Sequence, residues 1–469
     1  MIGFIISVWL LIQTTPVQNF LVNQVTHKLS ADLGTTVTIR HVNFSLFNSM
    51  LLEGALVKDL NKDTLLYAGS VKLNITDWFF FKDNIELEYI GLEDAVIHLQ
   101  RTDSTWNYQF LANYFSSPGA ASAENKNINL NLRQVELDKV SILQRDEWRG
   151  EDMKASIQSM TMDADEVNLN THVIRLRSLN MKQPSFAIYN YTGRRPTPPD
   201  NPQDDSMVIV NDALHLRWNP GVWDVSIKEL AISDGVFRAD QQTERAVYSS
   251  FDGAHILFSG IEGSFKDCRL VKDSILATVS LSAKERSGFE VKQLSAKMRM
   301  HPEAMEFSSL DLRTNRSHLH NFFAMRYSSF EDMQHFISKV RMEANFNGAV
   351  ISSDDIAYFA PELQSWKKKI QATGKVKGTV DNLNGKNLVV QAGNDTYLKG
   401  NISMAGLPDL SKTYIDFEAE NFLTTYTDAL SFVPQLKGIY EPRLDLLKFL
   451  RFKGNFTGFI NDFVTYGSL

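Results

Sequence analysis

The sequence is short of the features that most readily announce a function. It holds one cysteine in 469 residues, Cys268. That excludes a disulfide framework and any cysteine-cluster zinc site. Positive charge is not in excess: 48 Lys and Arg stand against 55 Asp and Glu, a net charge of −7. A strongly basic nucleic-acid binder of the usual kind is therefore excluded. The opening apolar run, Met1 to Ile12 (MIGFIISVWLLI), is shorter than the roughly 20 residues that a membrane-spanning helix needs. The chain has no G-x-S-x-G, Walker-type loop, G-x-G-x-x-G or H-E-x-x-H. The sequence does not read as an enzyme, and it calls for no cofactor and no metal.

What is present is apolar substance. Hydrophobic residues make up 43% of the chain, enough for a large core. At about 150 residues per domain the length alone corresponds to about three domains. Residues 1–15 read as a membrane anchor, the tail of an uncleaved signal-anchor whose basic start is missing. A buried core helix and an atypical signal peptide are the other readings. Pro16 suits a first helical turn, and Leu21, Val25, Leu29 and Leu33, with Phe20 and Val22 beside them, make one apolar stripe. Gly34 is placed to end it, so an amphipathic helix is expected over 16–34.

Beyond Gly34 the helical period gives way to alternation. Four segments share the apolar spacing h-x-h-x-x-h-x-h, with a further apolar residue five positions on. They are Ile85, Leu87, Ile90, Leu92 and Ile97; Leu130, Leu132, Val135, Leu137 and Ile142; Ile174, Leu176, Leu179, Met181 and Phe186; and Val225, Ile227, Leu230, Ile232 and Phe237. Partial copies occur at Phe289, Val291, Leu294 and Ala296, and at Met305, Phe307, Leu310 and Leu312. The two-residue gap would flip later side chains to the other face unless a bulge absorbs the extra residue. A turn between two short strands is the competing reading. A bulge at one point of each repeat bends a sheet along its length. The expectation is a mostly β protein, one elongated, curved repeat sheet with a few short helices: a repetitive β-groove over 35–350, continued over 351–469 with interspersed helices. Ser116 to Asn127 and Gly193 to Ser206 read as loops, and Thr424 to Phe432 and Pro442 to Phe449 as short helices. Phe456 to Val464 is strand-like, and no capping element follows, so the chain reads as cut off at this end.

Few residues hint at chemistry. His318 and His320 could ligate a metal, but no carboxylate or third histidine stands near them in sequence, and solvated strand histidines are expected. Asp354 and Asp355 are explained by a helix start, and Lys367-Lys368-Lys369 by a solvated helix end.

In its order of motifs the chain resembles a family. Thr15-Pro16-Val17-Gln18-Asn19-Phe20-Leu21-Val22 and Leu29-Ser30 follow the apolar anchor. Val42-Asn43-Phe44, Leu52-Glu53-Gly54, Val57-Lys58-Asp59, Asp63-Thr64-Leu65-Leu66-Tyr67-Ala68 and Leu92-Glu93-Asp94-Ala95 come next. Asp354-Asp355-Ile356-Ala357-Tyr358-Phe359-Ala360-Pro361 and Gly393-Asn394-Asp395-Thr396-Tyr397-Leu398-Lys399-Gly400 complete the series. The chain is similar to the amino-terminal portion of a TamB-type protein, of the AsmA-like group in diderm bacteria, in its Bacteroidetes-type variant. The resemblance implies a single-pass inner-membrane protein with its bulk in the periplasm. It implies a U-shaped β-groove of the bridge-like lipid-transfer type, phospholipid as cargo, and an outer-membrane β-barrel partner met through a carboxyl-terminal part missing here.

Two functions follow as expectations. One is a phospholipid conduit between the inner and outer membranes, serving outer-membrane biogenesis, since burying acyl chains removes about 0.8 kcal/mol per CH₂ of exposure to water. Its candidate groove residues are Ile85, Leu87, Ile90, Leu92, Leu130, Leu132, Val135, Ile174, Leu176, Leu179, Val225, Ile227 and Leu230. The same spacing also fits an ordinary core beneath a second layer. The other function is a chaperone or scaffold for outer-membrane protein assembly and secretion, working through sheet edges.

Overall fold

The protein is described here from a computed structural model, over residues 14–45, 49–75, 84–116, 127–168, 171–196, 217–242, 247–361, 364, 367–432, 434–438, 443–446 and 448–469. The apolar run Met1 to Ile12 lies outside these residues. Most of the described residues are in strands, 22 in all, with a few short helices. Among the described residues no helix is long and apolar enough to cross a membrane. The chain forms two compact units: one runs to Glu244 and includes Asp267–Leu270, and the other comprises Arg245–Lys266 and Val271–Leu469.

The first unit opens with α1 (Thr15–Leu33), which has Pro16 in its first turn and ends at Gly34, left-handed with φ 65°. Among its described side chains Gln18, Val22 and Thr26 are buried, one turn apart, while Phe20 is exposed; Leu21 and Val25 of the expected stripe lie outside the described side chains. Val22 is thus on the buried side of the helix and Phe20 is off it. The strands are β1 (Val37–Thr38), β2 (His41–Ser45), β3 (Ser49–Lys58), β4 (Thr64–Ile75) and β5 (Asn84–Arg101). After α2 (Gln109–Ser116) come β6 (Asn127–Asp146), β7 (Glu151–Asn168), β8 (Val173–Lys182), β9 (Ser185–Asn190) and β10 (Asp224–Gln241). Most neighbours are antiparallel, but β5 with β6, and β10 with β8 and β9, are parallel. A parallel pair needs a long crossover. The two stretches read as loops in the sequence fall in those crossovers, between β5 and β6 and between β9 and β10; residues 117–126 and 197–216 lie outside the described residues.

The four sequence copies are these parallel pairs. Val225, Ile227, Leu230, Ile232 and Phe237 face Ile174, Leu176, Leu179, Met181 and Phe186, all five positions in register. On β5 and β6, Ile90, Leu92 and Ile97 face Val135, Leu137 and Ile142. The amino-terminal ends of β5 and β6 are offset: Leu87 faces Leu130, and the register shifts before Tyr89 meets Gln134.

The gap in the repeat lies within continuous strands, which removes the reading of a turn between two strands. The register between β4 and β5 shifts from Asn74 opposite Tyr89 to Ile75 opposite Leu87, leaving Glu88 as the extra residue. The ladder between β7 and β8 steps past Arg177 in the same way. A second irregularity recurs two residues after the fourth apolar position. Asp94, Lys139, Gln183 and Asp234 all have left-handed backbone, with φ 50°, 51°, 48° and 51°. One left-handed residue absorbs the odd five-residue step, as a bulge does.

The second unit follows β11 (His255–Val271) as an antiparallel meander. Its strands are β12 (Ser274–Glu285), β13 (Glu290–His301), β14 (Ala304–Arg313), β15 (His318–Arg326), β16 (Arg341–Ser352), β17 (Lys369–Gly378), β18 (Asn382–Ala392), β19 (Thr396–Ala405), β20 (Tyr414–Thr424), β21 (Leu450–Phe459) and β22 (Asp462–Ser468). The partial copies fall on β13 and β14, which run antiparallel and pair Leu294 with Leu312. Short helices α3 (Phe336–Lys339), α4 (Ser353–Ile356) and α5 (Tyr426–Phe432) interrupt it. The helix expected over Pro442 to Phe449 is a 3-10 turn at Leu444–Leu446. The strand-like Phe456 to Val464 is a hairpin, β21 turning into β22.

Candidate functional site

The apolar positions of the repeat do more than pair; they line up in rows across the first unit. One row runs through Met50, Leu73, Ile90, Val135, Met162, Leu179 and Leu230, each directly opposite the next on β3, β4, β5, β6, β7, β8 and β10. The adjoining row contains Val71, Leu92, Leu137, Met160, Met181 and Ile232. At about 4.8 Å between strands, seven strands extend an apolar band over roughly 29 Å. The second unit has its own rows, such as Met298, Phe307, Phe323, Ala344 and Val376 on β13 to β17.

These faces are covered only in part. The fully buried apolar residues are mostly small, with Ala68, Ala95 and Val140 grouped in the first unit and Val279, Ala296 and Leu310 in the second. The larger side chains around them, including Leu92, Leu137, Leu294 and Phe323, stay half-buried. Strand contacts among the described residues are chiefly with ladder neighbours. Among the described residues, these large apolar side chains border their ladder neighbours and keep part of their surface exposed.

The candidate residues fall into three groups. Ile90, Leu92, Val135, Leu179 and Leu230 lie in the two long rows. Ile174 and Leu176 face Val225 and Ile227 at the far end of the β8–β10 ladder. Leu176 is buried and the other three are half-buried. Leu87 and Leu132 are half-buried near the register shift of β5 and β6. Ile85 and Leu130 belong to the same two strands by backbone register, Ile85 opposite Ile128 and Leu130 opposite Leu87. β7 was not among the sequence copies, yet its Met160 and Met162 carry the rows from β6 to β8, and its Ala164 faces Leu176 on β8. Its alternation was the available signal, but it has no copy of the spacing.

The polar face is paired charge. Bulge residues of neighbouring strands meet: Arg133 lies 3.9 Å from Glu88, and Lys228 lies 3.1 Å from Asp165. Arg177 binds both Asp163 and Asp165. Its hydrogen bond to Asp163 is the main influence that holds that carboxyl below its usual range. The left-handed residues pair likewise, Lys139 with Asp94 at 3.8 Å and Gln183 with Asp234 at 3.0 Å. Such exposed pairs each stabilise little. Their position repeats with the bulges and keeps charge off the apolar rows. Tyr89 is pushed up to about 12 by burial and by its hydrogen bond to Glu136.

The other candidates resolve individually. Asp355 is buried and accepts hydrogen bonds from the Thr314 hydroxyl and the Arg316 amide, while Asp354 pairs with Arg316 and Lys367. Lys368 sits over the ring of Phe432 at 5.5 Å. The sequence placed no carboxylate beside His318 and His320, and this is corrected: the β14–β15 register sets Asp311 opposite His320. A cavity of about 860 Å³ is lined by Arg341, Lys375, Lys377 and Lys386 among others, and by none of the candidate groove residues.

No known family model matches the chain, and no curated protein matches it.

Proposed function

We propose that the apolar rows are a binding surface for lipid acyl chains, and that the protein carries phospholipid between the inner and outer membranes along a curved groove. The observation that supports this most is the band of half-buried apolar side chains running roughly 29 Å across consecutive strands. That length is about the thickness of a bilayer's hydrocarbon core, so a single leaflet's acyl chains fit within it. Strand-to-strand rows suit a linear chain better than a compact ligand, because apolar contact continues from rung to rung. The single-pass inner-membrane anchor and the outer-membrane β-barrel partner belong to this reading through the resemblance to TamB-type proteins.

The experiment places a photo-crosslinking amino acid at Ile90, Val135, Leu179 or Leu230 in cells, with Arg175 and Lys228 as sites on the charged face. Phospholipid adducts at the four apolar sites and none at the two charged sites is the expected result. Equal labelling of both faces, or none, overturns the proposal.

The scaffold reading has one observation in its favour. Phe463, Val464 and Tyr466 on β22 are all exposed, 51%, 73% and 85%. Exposed apolar strand residues suit pairing with a client strand. Stable copurification of β-rich polypeptide, without extractable phospholipid, favours that reading.

A further inference from the structure

We propose that Asp311, His318 and His320 form a binding site for a divalent transition metal, with Zn²⁺ as its reference ion. The site is separate from the apolar rows and does not depend on the lipid reading. Two imidazoles and one carboxylate on a short hairpin make it. β14 and β15 pair Asp311 with His320 and Arg313 with His318, so all four side chains project from the face opposite Leu312 and Leu319.

The geometry is close to what a metal needs. One ligand atom from each residue lies within 4.8 Å of the other two. His318 Nε2 is 2.5 Å from a carboxylate oxygen of Asp311, and His320 Nδ1 is 3.9 Å from the same oxygen. Zinc held at about 2.0–2.1 Å in a tetrahedron sets its ligand atoms roughly 3.3 Å apart. The two contacts straddle that spacing. Residues two apart on a regular strand are separated by roughly 6.6 Å. The His318 and His320 rings come to 3.7 Å between centroids. The strand is irregular at this point: the β15–β16 register shifts after His318, and Asn321 is left-handed with φ 89°. A bulge increases twist, which is how two same-face histidines are brought together.

The donor set selects the metal. Two neutral imidazoles favour zinc and its neighbours, while calcium and magnesium want oxygen ligands throughout. Arg313 Nε, 3.6 Å from Asp311, opposes a cation and keeps the affinity modest.

The test uses the chelator-stripped protein and Zn²⁺ alone, by titration calorimetry. One saturable site is expected, weakened at least about tenfold in each of His318→Gln, His320→Gln and Asp311→Asn. Arg313→Gln should tighten it. Wild-type protein gives a second readout that does not depend on the variants folding: Zn²⁺ should protect His318 and His320 from diethylpyrocarbonate, and leave His98 reactive. Absence of saturable binding, affinity unchanged in all three variants, or unprotected His318 and His320 overturns the proposal.

Discussion

Phe237 lies opposite Phe186 across a parallel rung, with ring centroids 6.3 Å apart and planes 19° from parallel. The two rings are the fifth position of two consecutive sequence copies. Their contact shows that the repeat is a ladder register, with like residues stacked on like.

That stack makes a prediction. Phe186 is 37% exposed, so truncating it creates no enclosed cavity. A double-mutant cycle on Phe186→Ala and Phe237→Ala should give a coupling of about 1 kcal/mol, read from urea midpoints. A coupling near zero means that the rings touch without stabilising the ladder.

The last rung of β5 and β6 behaves differently. Arg101 and Asp146 close that ladder with two hydrogen bonds of 2.7 and 2.6 Å, and Trp106 covers the guanidinium at 4.6 Å. The side chains are 12% and 2% exposed. Asp146→Ala leaves a buried, unpaired charge and should cost about 3–5 kcal/mol. Arg177→Ala, at an exposed cluster with more hydrogen bonds, should cost far less. Chemical denaturation of both variants checks the contrast, and equal costs would refute it.

Asp428 supplies a pH dependence. Burial pushes its carboxyl up, but the amides of Asp395 and Asn394 and the Thr396 hydroxyl outweigh burial and hold it below the usual value of 3.8. A carboxyl depressed in the folded state stabilises fully above its unfolded value, and the gain disappears as pH falls through the folded one. Proteolysis of the β18–β19 turn should therefore accelerate below about pH 3.8 in the wild type. In Asp428→Asn the turn should be more labile at neutral pH, and its acid response should be flatter. Identical acid profiles would exclude Asp428 as the cause.

The strand content and the apolar positions were legible because spacing encodes which face a side chain takes. The bulge was legible too, since a two-residue gap in an alternating pattern has few physical solutions. Pairing was not. Nothing in the spacing of Ile174 to Phe186 says that its copy lies beside it in parallel, because direction is set by long crossovers with no periodic signal. The same blindness hid Asp311: it precedes His320 by nine residues in sequence but faces it across a rung, and only the register of β14 and β15 reveals that. The rows across β7 were hidden for a further reason. Met160 and Met162 alternate without the spacing of the repeat, so a search for copies passes over them.

The left-handed residues carry the last prediction. Asp234 has φ 51° within β10 and accepts a hydrogen bond from Gln183 on its exposed side. A non-glycine residue in that region is strained by roughly 1–2 kcal/mol, and a β-branched one is the least suited to it. Glycine removes the strain at the loss of one exposed hydrogen bond, so Asp234→Gly should be close to neutral. Asp234→Val keeps a Cβ, adds a branch and loses the bond, and should destabilise by about 2 kcal/mol. The control is Glu229→Val, at an exposed position of β10 that has no left-handed backbone; valine suits a strand there and should be tolerated. Thermal melts of the three variants decide it. If valine is as harmless at 234 as at 229, the left-handed turn does not constrain the strand, and the five-residue step of the repeat needs another cause.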